Sequence, residues 1–351
     1  MKKNTHTSTQ LFSNSYHSKY RFGLMDNGNV YSKNAQPAQD IFCRRLARLY
    51  NSKSILSCKT DIIVESMLSA LASGNEKIAV SSAIFPPLHN AILSACNKLG
   101  VRIVYFNDFE TLTEAVQQKV KAVIMSCVSV DCCYINIHQA KNICKKAEIP
   151  FIVDNTIATV FSHNPLLHGA NIVIEMSHLI SAGDEQNSYT TIMENGSFNW
   201  LKNNGYSKLY PYRNSNYPLT AYTRAKCKRA NNVQDKETQA DYYMLCEGLR
   251  TLYNRFNVHN YNSYMLEKRL QKYAYNISYN YYNSKHPVFI TVDLIPKYTP
   301  KLKEKLFIST VKSKEQLCNM FNCTSVYFQE NTAYIKIGTE PFGYLKLLFN
   351  I

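Results

Sequence analysis

From about residue 40 onward, short apolar runs alternate with stretches whose apolar residues recur every three to four positions. Lys77–Ser81 has the length and apolar content of a strand, and Leu88, Ile92, Ala95, Cys96 and Leu99 then mark one face of a helix. The same alternation predicts strands over 101–106, 122–125, 151–153 and 172–175, with helices over 111–118 and 138–147 between them. Strands and helices at this spacing imply a mostly parallel sheet covered on both faces. Ligands of such sheets sit at the carboxyl ends of the strands, so Phe85, Asp154 and the His178–Leu179 pair are expected near one crevice. The first forty residues are polar and read as an extended arm, and 201–235 read as irregular. A periodic helix is expected over 238–257, and the last ninety residues carry a weaker α/β pattern. No internal repeat is visible.

Composition narrows the class. The 351 residues are 45% hydrophobic and 19% charged, as in ordinary globular proteins. No apolar run is long enough to span a bilayer, and the polar start, residues 1–12, has no secretory signal core. Eleven scattered cysteines without a CxxC pair point to reduced thiols and a cytoplasmic location. Cys127, Cys132 and Cys133 follow a strand at the crevice, but their spacing fits no zinc pattern, and Cys318 and Cys323 are similar. No metal is expected. The formal charge of +15 raises nucleic-acid binding, for which 202–229 interleaves Lys and Arg with Tyr206, Tyr210, Tyr212, Tyr217 and Tyr222. Because lysine is spread over the whole chain, that charge is weak grounds for a dedicated nucleic-acid partner.

One block carries a more specific signal. Phe151-Ile-Val-Asp-Asn-Thr-Ile-Ala-Thr159, Pro165-Leu-Leu-His-Gly-Ala-Asn-Ile-Val173 and Glu194-Asn-Gly-Ser-Phe-Asn-Trp200 follow one another in register. They resemble the VDNTFAT, PLEHGADIV and DSGKFDW motifs of the Cys/Met-metabolism, pyridoxal-phosphate-dependent enzymes: cystathionine γ-synthase, the cystathionine lyases and O-acetylhomoserine sulfhydrylase. Gly28-Asn-Val-Tyr-Ser-Lys33 resembles the family's GNIYSR. Cys246-Glu-Gly-Leu-Arg-Thr-Leu252 with Arg255, His259 and Asn262 resembles its QGLETL…R…H…N helix, and Ile337-Gly-Thr-Glu340 its terminal VGIE strand. The resemblance implies fold type I, the aspartate-aminotransferase-like α/β fold. Its parts would be an arm over 1–40, a large domain with a mostly parallel sheet over 41–258, and a shortened C-terminal domain over 259–351.

The resemblance also implies a cofactor, and this chain departs from what that cofactor needs. Pyridoxal phosphate requires a lysine for the Schiff base, a carboxylate at the pyridine nitrogen, a stacking ring, a phosphate cup and an arginine for the substrate carboxylate. Asp154 matches the family's ring-nitrogen aspartate, with Thr156 in the same retained block, and Phe85 replaces its stacking tyrosine. Where the family reads HSATKYLGG, this chain reads Glu175-Met-Ser-His-Leu-Ile-Ser-Ala-Gly183, so Leu179 takes the lysine position. No other lysine lies between Lys146 and Lys202. The phosphate cup becomes Thr60-Asp61-Ile62, with Lys59 beside it, and Met176 and His178 replace its serine and threonine. Tyr31 and Lys33 fall where a neighbouring subunit's phosphate is reached, and Tyr334 where the substrate arginine would stand.

A charge-assisted contact to an anion contributes about 1.5–3 kcal/mol, so losing several weakens phosphate binding by powers of ten. The leading expectation is a degenerate homologue without pyridoxal catalysis, with no covalent cofactor and no catalytic residue. Its expected assembly is a homodimer, or a hetero-oligomer with an active paralogue. An altered sulfur-amino-acid lyase or sulfhydrylase is the second expectation, and a basic nucleic-acid-binding protein on the same scaffold the third.

Overall fold

The computed structural model describes residues 37–129, 136–181, 188–202, 204–234, 239–279, 288–306, 310–318, 323–341 and 345. Tyr31, Lys33, Cys132 and Cys133 lie outside them. Ala38, Phe42, Leu46 and Tyr50 repeat every four residues, which gives helix α1 (Pro37–Tyr50) one fully buried stripe. Strand β1 (Ser54–Lys59) and helix α2 (Thr60–Leu71) follow. The predicted alternation is then observed: β2 (Lys77–Ser81), α3 (Pro86–Leu99), β3 (Arg102–Phe106), α4 (Phe109–Gln117), β4 (Val123–Ser126), α5 (Ile137–Lys146) and β5 (Phe151–Asp154). Two single-turn helices, α6 (Thr159–Ser162) and α7 (Pro165–His168), lead to β6 (Ile172–Met176) and β7 (Tyr189–Glu194).

These seven strands form one sheet in the order β1-β7-β6-β5-β4-β2-β3. Only β7 runs against its neighbours β1 and β6, so six strands share a direction. Every residue of β4, β5, β6 and β7 is buried, as a sheet covered on both faces requires.

Residues 201–235 depart from the irregular stretch expected of them. They form a 3₁₀ segment (Asn204–Tyr212) and helix α8 (Pro218–Gln234). Leu209, Leu219, Tyr222 and Cys227 are too widely spaced to register as an apolar run, yet all four are buried. The long helix α9 (Gln239–Leu270) extends well beyond the predicted 238–257 and carries the chain to a second sheet. That sheet contains β8 (Ala274–Tyr279) and β9 (Phe289–Leu294), then β10 (Ser325–Gln329) and β11 (Thr332–Lys336), with helices α10 (Thr299–Lys305) and α11 (Lys314–Leu317) between the two pairs. It is antiparallel throughout, in the order β10-β11-β9-β8. Its own core gathers Leu266, Leu270, Ile290, Val292, Leu302 and Ile335. Among the described residues, no helix is long and apolar enough to cross a membrane.

Candidate functional site

The carboxyl ends of β2, β4, β5 and β6 bring four of the expected residues into one hydrogen-bonded group. The backbone N–H of Phe85 donates to Ser126 Oγ (2.9 Å), whose hydroxyl donates to Asp154 Oδ2 (2.5 Å). From the other side, Met176 N–H donates to Thr156 Oγ1 (3.0 Å), while the Thr156 hydroxyl and N–H both donate to Asp154 Oδ1. Both carboxylate oxygens of Asp154 are thus supplied with donors from the chain itself. Burial raises the Asp154 pKa above the ordinary carboxylate range, and the Ser126 and Thr156 donors offset part of that rise. The Phe85 ring meets the His178 ring edge to face, centroids 5.1 Å apart at 87°. Burial holds the imidazole of His178 neutral, its pKa pushed down to about 4.

Leu179 follows with no exposed surface. Its backbone is gripped by α9: Arg255 donates to the carbonyls of Leu179 (2.6 Å), Ile180 (3.1 Å) and Gly248 (2.9 Å). Gly248 explains how the helix comes so near, because a Cβ there would lie 1.7 Å from the Ile180 carbonyl oxygen. Burial lowers the Arg255 pKa to about 10, so the guanidinium stays charged at neutral pH. Further along α9, His259 Nδ1 donates to the Ile337 carbonyl (2.7 Å), which fixes the Nδ1–H tautomer. Asn262 donates to the carbonyls of Gly338 (3.1 Å) and Glu340 (3.0 Å). The Glu340 carboxylate in turn accepts from the N–H and hydroxyl of Thr324.

Thr60 opens α2, but its hydroxyl is engaged sideways with Ser188 Oγ and Thr190 Oγ1, each at 2.8 Å. The exposed Asp61 carboxylate accepts from the N–H of Ile62 (3.0 Å) and so sits at the positive end of the helix. Lys59 lies over the Tyr189 ring at 4.6 Å. Tyr334 belongs to the second sheet, where it stacks on Tyr327 (6.0 Å, 29°) and receives the Lys314 ammonium on its ring at 4.0 Å.

One buried group escaped the sequence reading. Glu175, in the middle of the apolar strand β6, accepts a short hydrogen bond from Tyr50, whose oxygen accepts from Asn155 Nδ2 (2.6 Å). Among the described residues no cation joins them, and Glu175 Oε1 and Asn155 Oδ1 have no partner. Burial, and then the nearby Asp154 charge, push the Glu175 pKa up to about 8 against the Tyr50 hydrogen bond. The available signal was an acid interrupting Ile172-Val-Ile-Glu-Met176.

The basic and aromatic stretch over 202–229 is largely engaged with the protein itself. Lys202 pairs with Glu148, Lys208 donates to the Ser69 carbonyl (2.9 Å) and Arg224 to that of Ile55 (2.8 Å), while Tyr206 and Tyr222 are buried. Cys127 is fully buried and its thiol pKa is raised by that burial, so the group is inert at neutral pH. Among the described residues, no three His, Cys, Asp or Glu side chains are grouped to hold a metal ion.

A seven-stranded, mostly parallel sheet, an aromatic and a buried aspartate at its strand ends, and a small antiparallel sheet beyond a long helix define the architecture of fold type I pyridoxal-phosphate enzymes. A protein of Campylobacter jejuni assigned as an O-acetylhomoserine (thiol)-lyase, crystallised with a pyridoxyl-lysine monophosphate, has that fold. It superposes with a TM-score of 0.76 at 18% identity, over 94% of this chain and 89% of its own.

The model of the Cys/Met metabolism PLP-dependent enzymes matches residues 3–293, and the chain belongs to that family. Among curated relatives, the O-acetyl-L-homoserine sulfhydrylase of Leptospira meyeri is 23% identical over 292 residues, covering 76% of this chain and 65% of its own length. The homocysteine synthase of Schizosaccharomyces pombe is 25% identical over 285 residues, covering 76% and 66%. The chain therefore spans about two thirds of the length of these relatives.

Proposed function

We propose that this chain is a degenerate member of its family that has given up pyridoxal catalysis while keeping the scaffold. The observation that carries this reading is Leu179: a fully buried hydrocarbon, clamped through its carbonyl by Arg255, at the position where the resemblance calls for the Schiff-base lysine. A leucine can form no imine and carry no proton.

The surrounding residues do not fit the cofactor either. The Thr60 hydroxyl is committed to Ser188 and Thr190, and Asp61 sets a negative charge where a phosphate would need the helix end. The edge-to-face His178–Phe85 contact occupies the aromatic that would stack on the ring. Tyr334 offers no fork to a substrate carboxylate.

A scaffold of this kind would act through association, as a homodimer or beside an active paralogue. The test is to incubate the full chain with pyridoxal phosphate, reduce with borohydride and map the labelled peptides. The expected result is no visible absorption band and no single labelled lysine. A stable band fixed stoichiometrically onto one lysine would overturn the reading.

A second reading, an altered sulfur-amino-acid lyase or sulfhydrylase, is favoured by one observation: the intact hydrogen-bonded cradle of Asp154. It predicts turnover of O-acetylhomoserine and sulfide that Asp154→Ala abolishes.

A further inference from the structure

At the opposite end of the large sheet from Asp154 lies a cleft of about 460 Å³. Because β7 runs against its neighbours, its exit, Asn195–Asn199, emerges beside the amino ends of β5 and β6. The last turns of α5 and the Pro165–Gly169 turn close the other sides. Three residue steps along β5, from Phe151 to Asp154, separate this cleft from the Asp154 crevice, roughly 10 Å at the usual rise per residue.

The lining has two parts. Phe151, Leu166 and Phe198 give an apolar floor, and Lys141, Lys145 and Lys202 stand around it. Lys202 is neutralised by Glu148. Neither Lys141 nor Lys145 has an acid partner among the described residues, so two positive charges remain uncompensated at the cleft. Lys145 sits in the last turn of α5, where the helix dipole stabilises its charge without cancelling it.

Lys141 is held in place. Its stem lies across Gly169, which has a φ of +106° and where a Cβ would come within 2.3 Å of Lys141 Cδ. The electropositive character is felt nearby: burial first, then the charges of His138 and Lys141, lower the His168 pKa. On the wall, Ser197 Oγ accepts from Asn171 Nδ2 (2.8 Å), and its own proton has no acceptor among the described residues.

The geometry points to a binding site for a small organic phosphate monoester with an apolar or ring-shaped body. The volume lies in the range of small-molecule pockets, the floor suits a hydrocarbon or ring, and the unpaired ammonium groups suit a dianion. The site is separate from the inherited crevice and does not rest on the loss of pyridoxal chemistry.

The chain has a built-in reporter. Trp200 is its only tryptophan, and its ring meets the cleft-lining Phe198 at 4.6 Å. Phenyl phosphate titrated into the full chain is expected to change Trp200 fluorescence saturably, with an affinity that weakens as salt rises. Inorganic phosphate alone should bind at least tenfold more weakly. The Lys141→Met/Lys145→Met variant, which keeps the stem over Gly169, should lose at least tenfold in affinity at an unchanged melting temperature. If that variant does not fold, Lys145→Glu on the exposed rim should still lose severalfold. The proposal is overturned by the absence of a saturable change, by equal affinity for phosphate and phenyl phosphate, or by unchanged affinity in whichever variant folds.

Discussion

Two regions of the molecule were inherited together and have fared differently. Along α9, four family-like residues have structural tasks. Gly248 allows the Ile180 carbonyl to approach, Arg255 holds the Leu179 and Ile180 carbonyls, and His259 and Asn262 hold the backbone over 337–340. Leu179 beyond β6, Asp61 in the first turn of α2 and Tyr334 within β11 stand where the resemblance calls for a lysine, a phosphate cup and an arginine. On the reading proposed above, contacts that hold the fold together are kept and groups that would serve only a bound ligand are replaced. Asp154 belongs with the first set, because Ser126 and Thr156 make it part of the internal hydrogen-bond network.

The largest effect is expected at Gly248. Gly248→Ala drives a methyl group to 1.7 Å from a carbonyl oxygen, so α9 and the 179–180 segment cannot both keep their places. Overpacking of this kind costs about 3 kcal/mol or more. The expected result, read by urea or thermal unfolding, is loss of most of the stability. A variant as stable as the parent would remove the claim that α9 clamps the 179–180 segment.

Leu179→Lys comes next and bears on the comparison from the other side. An ammonium placed in a fully buried hydrocarbon slot costs about 3–5 kcal/mol unless it sheds its proton. Restoring the amine leaves Thr60, Asp61 and Tyr334 as they are, so no turnover of O-acetylhomoserine with sulfide should appear in an assay of released homocysteine. Measurable turnover would mean that the lysine alone had been lost. Arg255→Met should cost about 2–4 kcal/mol, since it leaves three buried carbonyls without their charged donor. A denaturation midpoint unchanged from the parent would make α9 a passive neighbour.

Much of the large sheet was legible because its parallel strands are buried on both faces and read as unbroken apolar runs, as in Ile172-Val-Ile and Phe151-Ile-Val. Strand β7 was not legible, since Tyr189-Thr-Thr-Ile-Met-Glu194 hides polar side chains among internal partners. Helix α8 was hidden by the polar residues between its few buried ones. Within the site, Asp154 and Leu179 could be singled out from motif register alone. The partners that give them meaning, Ser126 and Arg255, are 28 and 76 residues away, and only folding brings such pairs together. Glu175 escaped because a lone acid in an apolar run signals nothing until Tyr50 and Asn155 are seen beside it.

Glu175 yields the smallest effect and the finest test, because it places an ionisable group in the crevice with no counter-charge among the described residues. Its folded pKa of about 8 lies above the 4.5 of a free side chain, so between those values the folded protein keeps a proton that the unfolded chain has released. Stability therefore falls as pH rises through this window and levels off above it. The contribution is at most about 1.4 kcal/mol per pH unit. Below pH 6.5 the buried histidines His163, His178 and His259, each held neutral with a pKa near 4, act in the opposite sense. The clean interval is thus roughly pH 7.5 to 8, about a unit or more above the ordinary histidine value, where the histidines are almost wholly neutral in both states and the raised carboxyl still titrates. Glu175→Gln keeps an acceptor for the Tyr50 hydroxyl and removes the titration, so its unfolding free energy should be flatter with pH than the parent's across that interval. Equal slopes would mean that Glu175 is already ionised in the folded protein. The crevice would then have to supply a cation, and a stripped site with no ligand would no longer describe it.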